Sequence, residues 1–378
     1  VSASFPRHPD DVHVPFLLDL VQVQRRWGWD ARALALHDAG IPVHDEVSGV
    51  PVRRAQYAPA PWEQLAYRGG LVHGLGSGRG VALLAAAASS LVATTMRETL
   101  ATRPSVLHGH WLFPGGLAVV AAARLAAALR RGAPRAVVMV HGSDVELAAR
   151  APEARRAGRW VAARAEVVAV SDALAARTEA VLGLAPGSVT VARLPLAGGL
   201  QSSPLPPGPY RLLAAGRASP EKGLDVLVAA LAAPEAAGWQ ATLCTEGPDR
   251  PALERAIEAG GLADRVTLLP LQPRGRLFDL VRAHHLVVVP SRAEGLGMMA
   301  VEALALGRPV VASAVGGLVE LVGSDDGALV PAGDPDALAK ALATVCVRPP
   351  LARATAAHHP DAVREAYTGL YCLATDDR

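Results

Sequence analysis

YRLLAAGRASPEKGLDVLVAALA, residues 210–232, runs from a short apolar segment through a turn of glycine, arginine, proline and lysine into a second apolar segment. The largely apolar run Tyr210 to Ala215, which stops at a glycine, reads as a buried strand, and the apolar stretch after Gly223 reads as a helix. A glycine-containing turn at a helix N-terminus aims backbone N–H groups and the positive end of the helix dipole at whatever lies above it. With Arg217 and Lys222 beside Gly216, that turn suits a phosphate; the plainer alternative is a strand-to-helix turn with two solvated cations.

Working downstream, the alternation continues through strands at Gln240 to Thr245, Val266 to Leu269, Leu286 to Val289 and Pro309 to Ala312. Helices are predicted at Gly223 to Leu231, Pro251 to Ala259, around Leu277 to Ala283 and at Gly297 to Leu306. Upstream the same pattern holds. Val1 to Phe5 reads as a strand trimmed at its start, followed by a helix from about Asp11 to Trp27 with Asp10 or Asp11 as N-cap, and a strand at Ala31 to Leu36. Ser105 to Leu107, Ala136 to Val140 and Glu166 to Val170 follow as strands. Gly115 to Arg130, a segment after Asp144 and one capped by Ser171 follow as helices. All-apolar strands alternating with helices mean parallel strands covered on both faces. The fold class is therefore α/β, two Rossmann-like doubly wound domains facing a central cleft. Between them LAGGLQSSPLPPGP, residues 196–209, reads as a linker that neither packs nor pairs.

Composition agrees with this frame. A chain of 378 residues suggests about two domains, and 51% hydrophobic with 19% charged residues is ordinary for a globular enzyme. A formal charge of +2 without blocks of like charge gives no footprint of a nucleic-acid binder, and no nucleic-acid partner is expected. Cys244, Cys346 and Cys372 are far apart and lack a C-x-x-C spacing, which fits a reducing cytoplasmic setting. Val81 to Thr95 and Leu117 to Leu129 are strongly apolar but shorter than the roughly 18 to 20 residues of a membrane span, so buried helices are expected. No secretory leader pattern opens the chain. The arginines from Arg150 to Arg164 allow at most a peripheral membrane contact, and a solvated helix face explains them as well. Lys222 and Lys340 are the only lysines among 37 basic residues, which draws attention to each.

A second cluster, Glu294-Gly295-Leu296-Gly297-Met298-Met299-Ala300-Val301-Glu302, again lies between an apolar strand and a helix. Its glycines let the backbone approach a ligand, and Glu302 falls two turns into the helix. One carboxylate could meet sugar hydroxyls and the other a ribose; an unrelated pair of helix carboxylates is the alternative. Gly-Arg-x-x-x-x-Lys-Gly followed about 80 residues later by Glu-x7-Glu resembles the C-terminal domain of the family-4 retaining glycosyltransferases of GT-B fold. The resemblance continues through Glu302 to Ala312, Gly316-Gly317, Glu320 and Gly327 to Pro331. It is close over Leu212 to Leu342 and looser in the N-terminal half.

The resemblance implies that Arg217 and Lys222 bind the donor diphosphate and stabilise the leaving phosphate. It gives Glu302 to the ribose and Glu294 to the donor sugar, with the N–H groups of Gly295, Leu296 and Gly297 supporting sugar and phosphate oxygens beside Gly216. In the N-terminal half His141-Gly142-Ser143-Asp144 is similar to the family's His-Gly-x-Asp, which sends His141 to the donor sugar and leaves Asp144 to cap a helix or orient the loop. His108-Gly109-His110-Trp111 matches a loop on the acceptor side, although a core role for Trp111 is equally open. The implied organisation is an acceptor-side domain at 1–197, a linker at 198–209, a nucleotide-sugar domain at 210–350 and a helix within 351–378 that returns to the first domain.

One departure concerns the first strand-helix loop, where many members carry a glycine pair and this chain has Pro6-Arg7-His8-Pro9-Asp10-Asp11. Asp10 and Asp11 could then face a cationic or polyhydroxylated acceptor, or one of them simply caps the helix. The triplet Asp334-Pro335-Asp336 stands at a helix start, where capping explains it, so neither metal nor other cofactor is expected. Gly74 to Gly80 lacks the strand and acidic residue of a dinucleotide fingerprint and reads as a loop, with Tyr67 to Gly70 beside it. The expected activity is transfer of a hexosyl or N-acetylhexosaminyl group with retention. The donor is a nucleotide sugar, uridine being the family's commonest base, and the acceptor a small molecule or a lipid-linked one. Other chemistry on the same fold, such as epimerisation or non-glycosidic coupling, and non-catalytic nucleotide-sugar binding are the alternatives. The arginine- and alanine-rich composition is compatible with an antibiotic or cell-wall pathway.

Overall fold

The computed structural model describes residues 1–67, 78–196, 200–345, 347–348, 350 and 352–372, and divides into two compact units. The first comprises Val1–Pro195 with the chain from Pro360 onward; the second begins at Leu196 and ends at His359.

In the first unit the strands are β1 (Ala33–Leu36), β2 (His44–Val47), β3 (Val50–Ala55), β4 (Val106–His110), β5 (Arg135–Val140), β6 (Glu166–Ala169) and β7 (Thr190–Val191). The helices are α1 (Pro15–Arg26), α2 (Gly78–Thr102), α3 (Leu117–Ala128), α4 (Ser143–Arg150), α5 (Pro152–Ala162) and α6 (Asp172–Leu182). Strands β4-β5-β6-β7 form one parallel sheet and β1-β3-β2 another, with only β2 antiparallel. Val1 to Phe5 has no ladder assigned, yet it lies extended between the two sheets. Ser2 N–H donates to the Leu34 carbonyl at 3.0 Å, Leu36 N–H to Ala3 at 3.4 Å and His110 N–H to Val1 at 2.8 Å. The β2–β3 hairpin, joined by Ser48-Gly49, escaped the sequence reading because its charged residues hide the alternation.

Two expectations need correction here. Neither Asp10 nor Asp11 caps α1: the N-cap is Val14, without a side-chain bond, and Asp11 is buried in an ion pair described below. The apolar helices are also longer than their apolar cores suggest, 25 residues for α2, and by length and composition alone α2 and the segment Trp111–Ala128 could cross a membrane. Within α2 a stripe of Ala87, Leu91, Thr95 and Thr99 is buried at four-residue spacing, and α2 packs against α3. The Thr95 and Thr99 hydroxyls donate to carbonyls one turn back at 2.7 Å, which removes the cost of burying them. Tyr67 is buried; residues 68–77 of the glycine-rich segment lie outside the described residues, and Gly78 to Gly80 open α2. The helix α13 (Pro360–Cys372) groups with this unit, where Gln24 Nε2 donates to Tyr371 Oη at 3.0 Å.

The second unit is one parallel sheet of β8 (Arg211–Ala215), β9 (Gln240–Cys244), β10 (Val266–Leu269), β11 (Leu286–Val289), β12 (Val310–Ser313) and β13 (Gly327–Val330). The strand order is β10-β9-β8-β11-β12-β13. Helices α7 (Leu224–Ala232), α8 (Arg250–Ala259), α9 (Arg274–Ala283), α10 (Met298–Ala305), α11 (Leu318–Leu321) and α12 (Pro335–Thr344) connect them. Leu212, Leu243, Leu286 and Val311 are fully buried, which is why the strands read as continuous apolar runs. Asp334 caps α12, its side chain accepting from Ala337 N–H at 2.9 Å. The chain order reverses between β8 and β11, and in such sheets ligands bind beyond the carboxyl ends of the strands at that point.

Within 196–209, read from its composition as an unpacked linker, Ser203 and Pro204 are packed. Arg308, fully buried, donates to the Ser203 carbonyl at 2.8 Å, to Ser203 Oγ at 2.9 Å and to the Pro204 carbonyl at 2.9 Å, so these residues are fastened to the second unit. The Ser203 and Pro204 carbonyls serve as the counter-dipoles a buried guanidinium requires.

Candidate functional site

The two clusters singled out in the sequence are the loops that leave β8 and β11, the strands flanking the reversal point. Gly216 to Gly223 follows β8 and crosses a short 3-10 turn at Pro220–Lys222; Pro290 to Gly297 follows β11. The loops are joined by the Arg292 N–H, which donates to the Glu221 carbonyl at 2.8 Å. Gly223 has φ of 62°, and a Cβ there would collide with the Pro290 carbonyl oxygen, so only glycine lets the loops close to this spacing. Gly316, at φ 50°, approaches the Glu294 carbonyl in the same way from the other side.

Lys222 Nζ donates to Glu294 Oε2 at 2.7 Å, and Ser291 Oγ donates to the same oxygen at 3.0 Å. A pair 72 residues apart in sequence is thus a direct contact between neighbouring loops. Both side chains are partly exposed, so the ion pair is open to competition by a ligand's own charges. Arg217 is exposed in the same turn, and Gly295, Leu296 and Gly297 are buried where the loop enters α10. No side-chain bond caps α10 at Gly297, and a helix N-terminus of that kind suits an anion.

Glu302 lies one layer below, on the buried face of α10, where Arg274 Nη2 donates to its Oε1 at 2.6 Å. Burial pushes the Glu302 carboxyl above its ordinary range, and Arg274 opposes that rise. Sequence reasoning missed Arg274 as well as Ser291. Arg274 opens α9, 28 residues from Glu302, and no local spacing marks it as a partner.

In the first unit the loops beyond β4 and β5 bring His110, Trp111 and His141 together. His110 Nδ1 and His141 Nε2 are 3.1 Å apart and share a proton-bearing contact, and the Trp111 ring centroid is 4.5 Å from that of His141. Burial lowers His141 to about 3, as it does His108, and also lowers His110 well below the ordinary histidine value, so the cluster is neutral at physiological pH. Asp144 is buried. Its carboxylate accepts from the N–H groups of Leu112 at 2.8 Å, Gly142 at 3.1 Å and His141 at 3.2 Å, which orients the His141 loop.

Asp10 is exposed, whereas Asp11 is consumed internally. Arg7 Nε donates to Asp11 Oδ2 at 2.7 Å, Arg7 Nη1 donates to Asp38 at 2.9 Å, and His13 Nδ1 lies 2.9 Å from Asp11 Oδ1. Burial alone would raise the Asp11 carboxyl, but the bonds from His13 and Arg7 outweigh it and hold the group well below the carboxylate range. Of the two aspartates proposed for an acceptor, Asp11 is therefore a support of the first loop.

A parallel doubly wound sheet with a cation–carboxylate pair at its reversal point defines a nucleotide-binding α/β unit, here the second of two Rossmann-like domains. Residues 16–194 match the model of Glycosyltransferase Family 4, and residues 209–347 that of Glycosyl transferases group 1. The chain is 31% identical over 339 residues to the D-inositol 3-phosphate glycosyltransferase of Acidothermus cellulolyticus, covering 79% of this chain and 73% of that protein. It is 41% identical over 152 residues to the protein of the same name from Mycolicibacterium smegmatis, a stretch covering 38% of this chain and about a third, 34%, of that relative. Among solved structures it is similar to sucrose-phosphate synthase of Thermosynechococcus elongatus, with a TM-score of 0.71 and 23% identity, covering 98% of this chain and 92% of that one. It is also similar to Anabaena HepE in complex with UDP, with a TM-score of 0.62 and 20% identity, covering 99% and 94%. The chain belongs to the family-4 glycosyltransferases and has the GT-B fold.

Proposed function

We propose that this protein transfers a hexosyl or N-acetylhexosaminyl group, with retention of configuration, from a UDP-sugar to an acceptor hydroxyl. The observation that carries the proposal is the Lys222–Glu294 contact at the reversal point of the second unit, with Arg217 exposed beside it and Glu302 beneath. On arrival of the donor, Lys222 and Arg217 meet the diphosphate, with the N–H groups of Gly295 to Gly297 as further donors. Glu302, held by Arg274, accepts from the ribose hydroxyls, and Glu294 and neutral His141 take hydroxyls of the donor sugar.

The bond from the anomeric carbon to the diphosphate oxygen breaks as the acceptor oxygen bonds to that carbon on the same face. The acceptor's proton passes to the departing phosphate oxygen. Charge develops on the leaving diphosphate, and preorganised cations and amides meet it at low reorganisation cost. Two cationic side chains supply the role that an Asp-held metal has elsewhere, so the reaction is proposed to be metal-independent. Uridine is favoured by the UDP and UDP-glucose complexes of HepE, and the relatives' names make inositol phosphate or a sugar a reasonable acceptor class beside an aminocyclitol or a lipid-linked one. A cytoplasmic setting belongs to the same proposal.

Calorimetric titration of UDP and GDP, with and without EDTA, into wild type and Lys222→Ala tests the donor half. Binding that survives EDTA and weakens in the variant supports the reading; equal affinity in both proteins overturns it. The anomeric configuration of the product, read by NMR with candidate acceptors, tests retention.

A further inference from the structure

We propose that Arg292 is a positioning residue that locks the two donor loops in register and thereby sets Lys222 against Glu294. This inference rests on the donor-site reading above. Arg292 Nη1 donates to Asp225 Oδ1 at 2.8 Å and to the Pro220 carbonyl at 2.8 Å, while Nη2 donates to Asp225 Oδ2 at 2.6 Å. Its backbone N–H donates to the Glu221 carbonyl, so one residue of the β11 loop grips the β8 loop at Pro220, Glu221 and Asp225. Those three contacts bracket Lys222 in sequence, and Glu294 is two residues beyond Arg292.

Lys222 is a long, flexible side chain whose productive placement depends on where its backbone is held. The planar guanidinium fixes that backbone with a two-pronged carboxylate bond and a carbonyl bond, geometry a lysine ammonium does not reproduce. Arg292 is itself exposed, as is Asp225, so the pair adds little to global stability. Its effect is on register, and its loss reaches a ligand only through Lys222 and Glu294.

The test compares wild type with Arg292→Ala, Arg292→Lys, Asp225→Asn and the swapped pair Arg292→Asp/Asp225→Arg, with Lys222→Ala as reference. Three readouts are taken: melting temperature, calorimetric UDP affinity, and acylation of Lys222 relative to Lys340 by an amine-reactive reagent, followed by mass spectrometry. The chain's two lysines make Lys340, which is exposed, an internal standard that needs no ligand. In wild type Lys222 is acylated more slowly than Lys340, and Arg292→Ala narrows the difference at an unchanged melting temperature. UDP affinity falls about tenfold in Arg292→Ala, the equivalent of about 1.4 kcal/mol. Arg292→Lys recovers only part of the loss, and the swapped pair binds UDP more tightly than Arg292→Ala or Asp225→Asn.

Equal labelling of the two lysines in wild type, or a ratio untouched by Arg292→Ala, overturns the clamp. So does unchanged UDP affinity in Arg292→Ala where Lys222→Ala weakens it. If Lys222→Ala leaves UDP affinity intact while the labelling ratio responds to Arg292→Ala, the donor reading fails and the clamp stands.

Discussion

Replacing Arg274 by alanine strands the Glu302 carboxylate, and the result depends on pH in a way the structure fixes. The two side chains are 14% and 10% exposed and meet at 2.6 Å, so water screens the pair little. Breaking a buried pair by removing one partner costs about 3–5 kcal/mol. A loss of that size lowers the melting temperature by about 10 °C for a unit of this size. The sign with pH follows from Glu302, whose carboxyl is already raised above 4.5 by burial and loses in Arg274→Ala the charge that opposes the rise. The folded state then binds the proton more readily than the unfolded state. Its stability is fully present below the unfolded value near 4.5 and is lost as pH rises through the elevated folded value. The melting-temperature gap between wild type and Arg274→Ala is therefore largest at neutral pH and closes on acidification, and adding Glu302→Gln to Arg274→Ala restores much of the loss. Differential scanning calorimetry from pH 5 to 8, following the transition of the second unit, measures both effects. A gap that is constant with pH, or not relieved by Glu302→Gln, would refute the argument that an uncompensated carboxylate is the cause.

Asp11→Asn removes charge from the acceptors of Arg7 and costs about 2–3 kcal/mol at neutral pH, the range of charged hydrogen bonds. Because the Asp11 carboxyl is held low when folded, its contribution is present above pH 3.8 and fades as pH falls through the lower folded value, so the gap to wild type closes in strong acid by circular dichroism. Asp144→Ala releases the N–H groups of Leu112, His141 and Gly142 together; turnover falls about tenfold or more while UDP affinity, whose proposed site is in the second unit, is unchanged in calorimetry. Arg308→Met removes the bonds to Ser203 and Pro204, and limited proteolysis then cuts at residues 200–206 faster than in wild type.

The sequence by itself determined the architecture of the second unit. Its central strands are buried on both faces, so each is a short apolar run between turns. The local chemistry of Gly216 to Gly223 and of Glu294 to Glu302 marked the loops at the reversal point before the strand order was known. The caps Ser171 and Asp334 were legible for the same reason, since each acts within three residues of itself, whereas the cap expected at Asp10 or Asp11 does not form. Contacts across the chain were decided only in three dimensions. The charged hairpin β2–β3 forms because its edge needs no apolar alternation, Glu302 finds Arg274 because the fold brings the start of α9 to the buried face of α10, and Arg308 fastens Ser203 and Pro204 of a proline-rich segment. Asp11, which sequence offered to an acceptor, goes to Arg7 because a buried carboxylate is stable only beside a cation, and which cation lies within reach is a property of the fold.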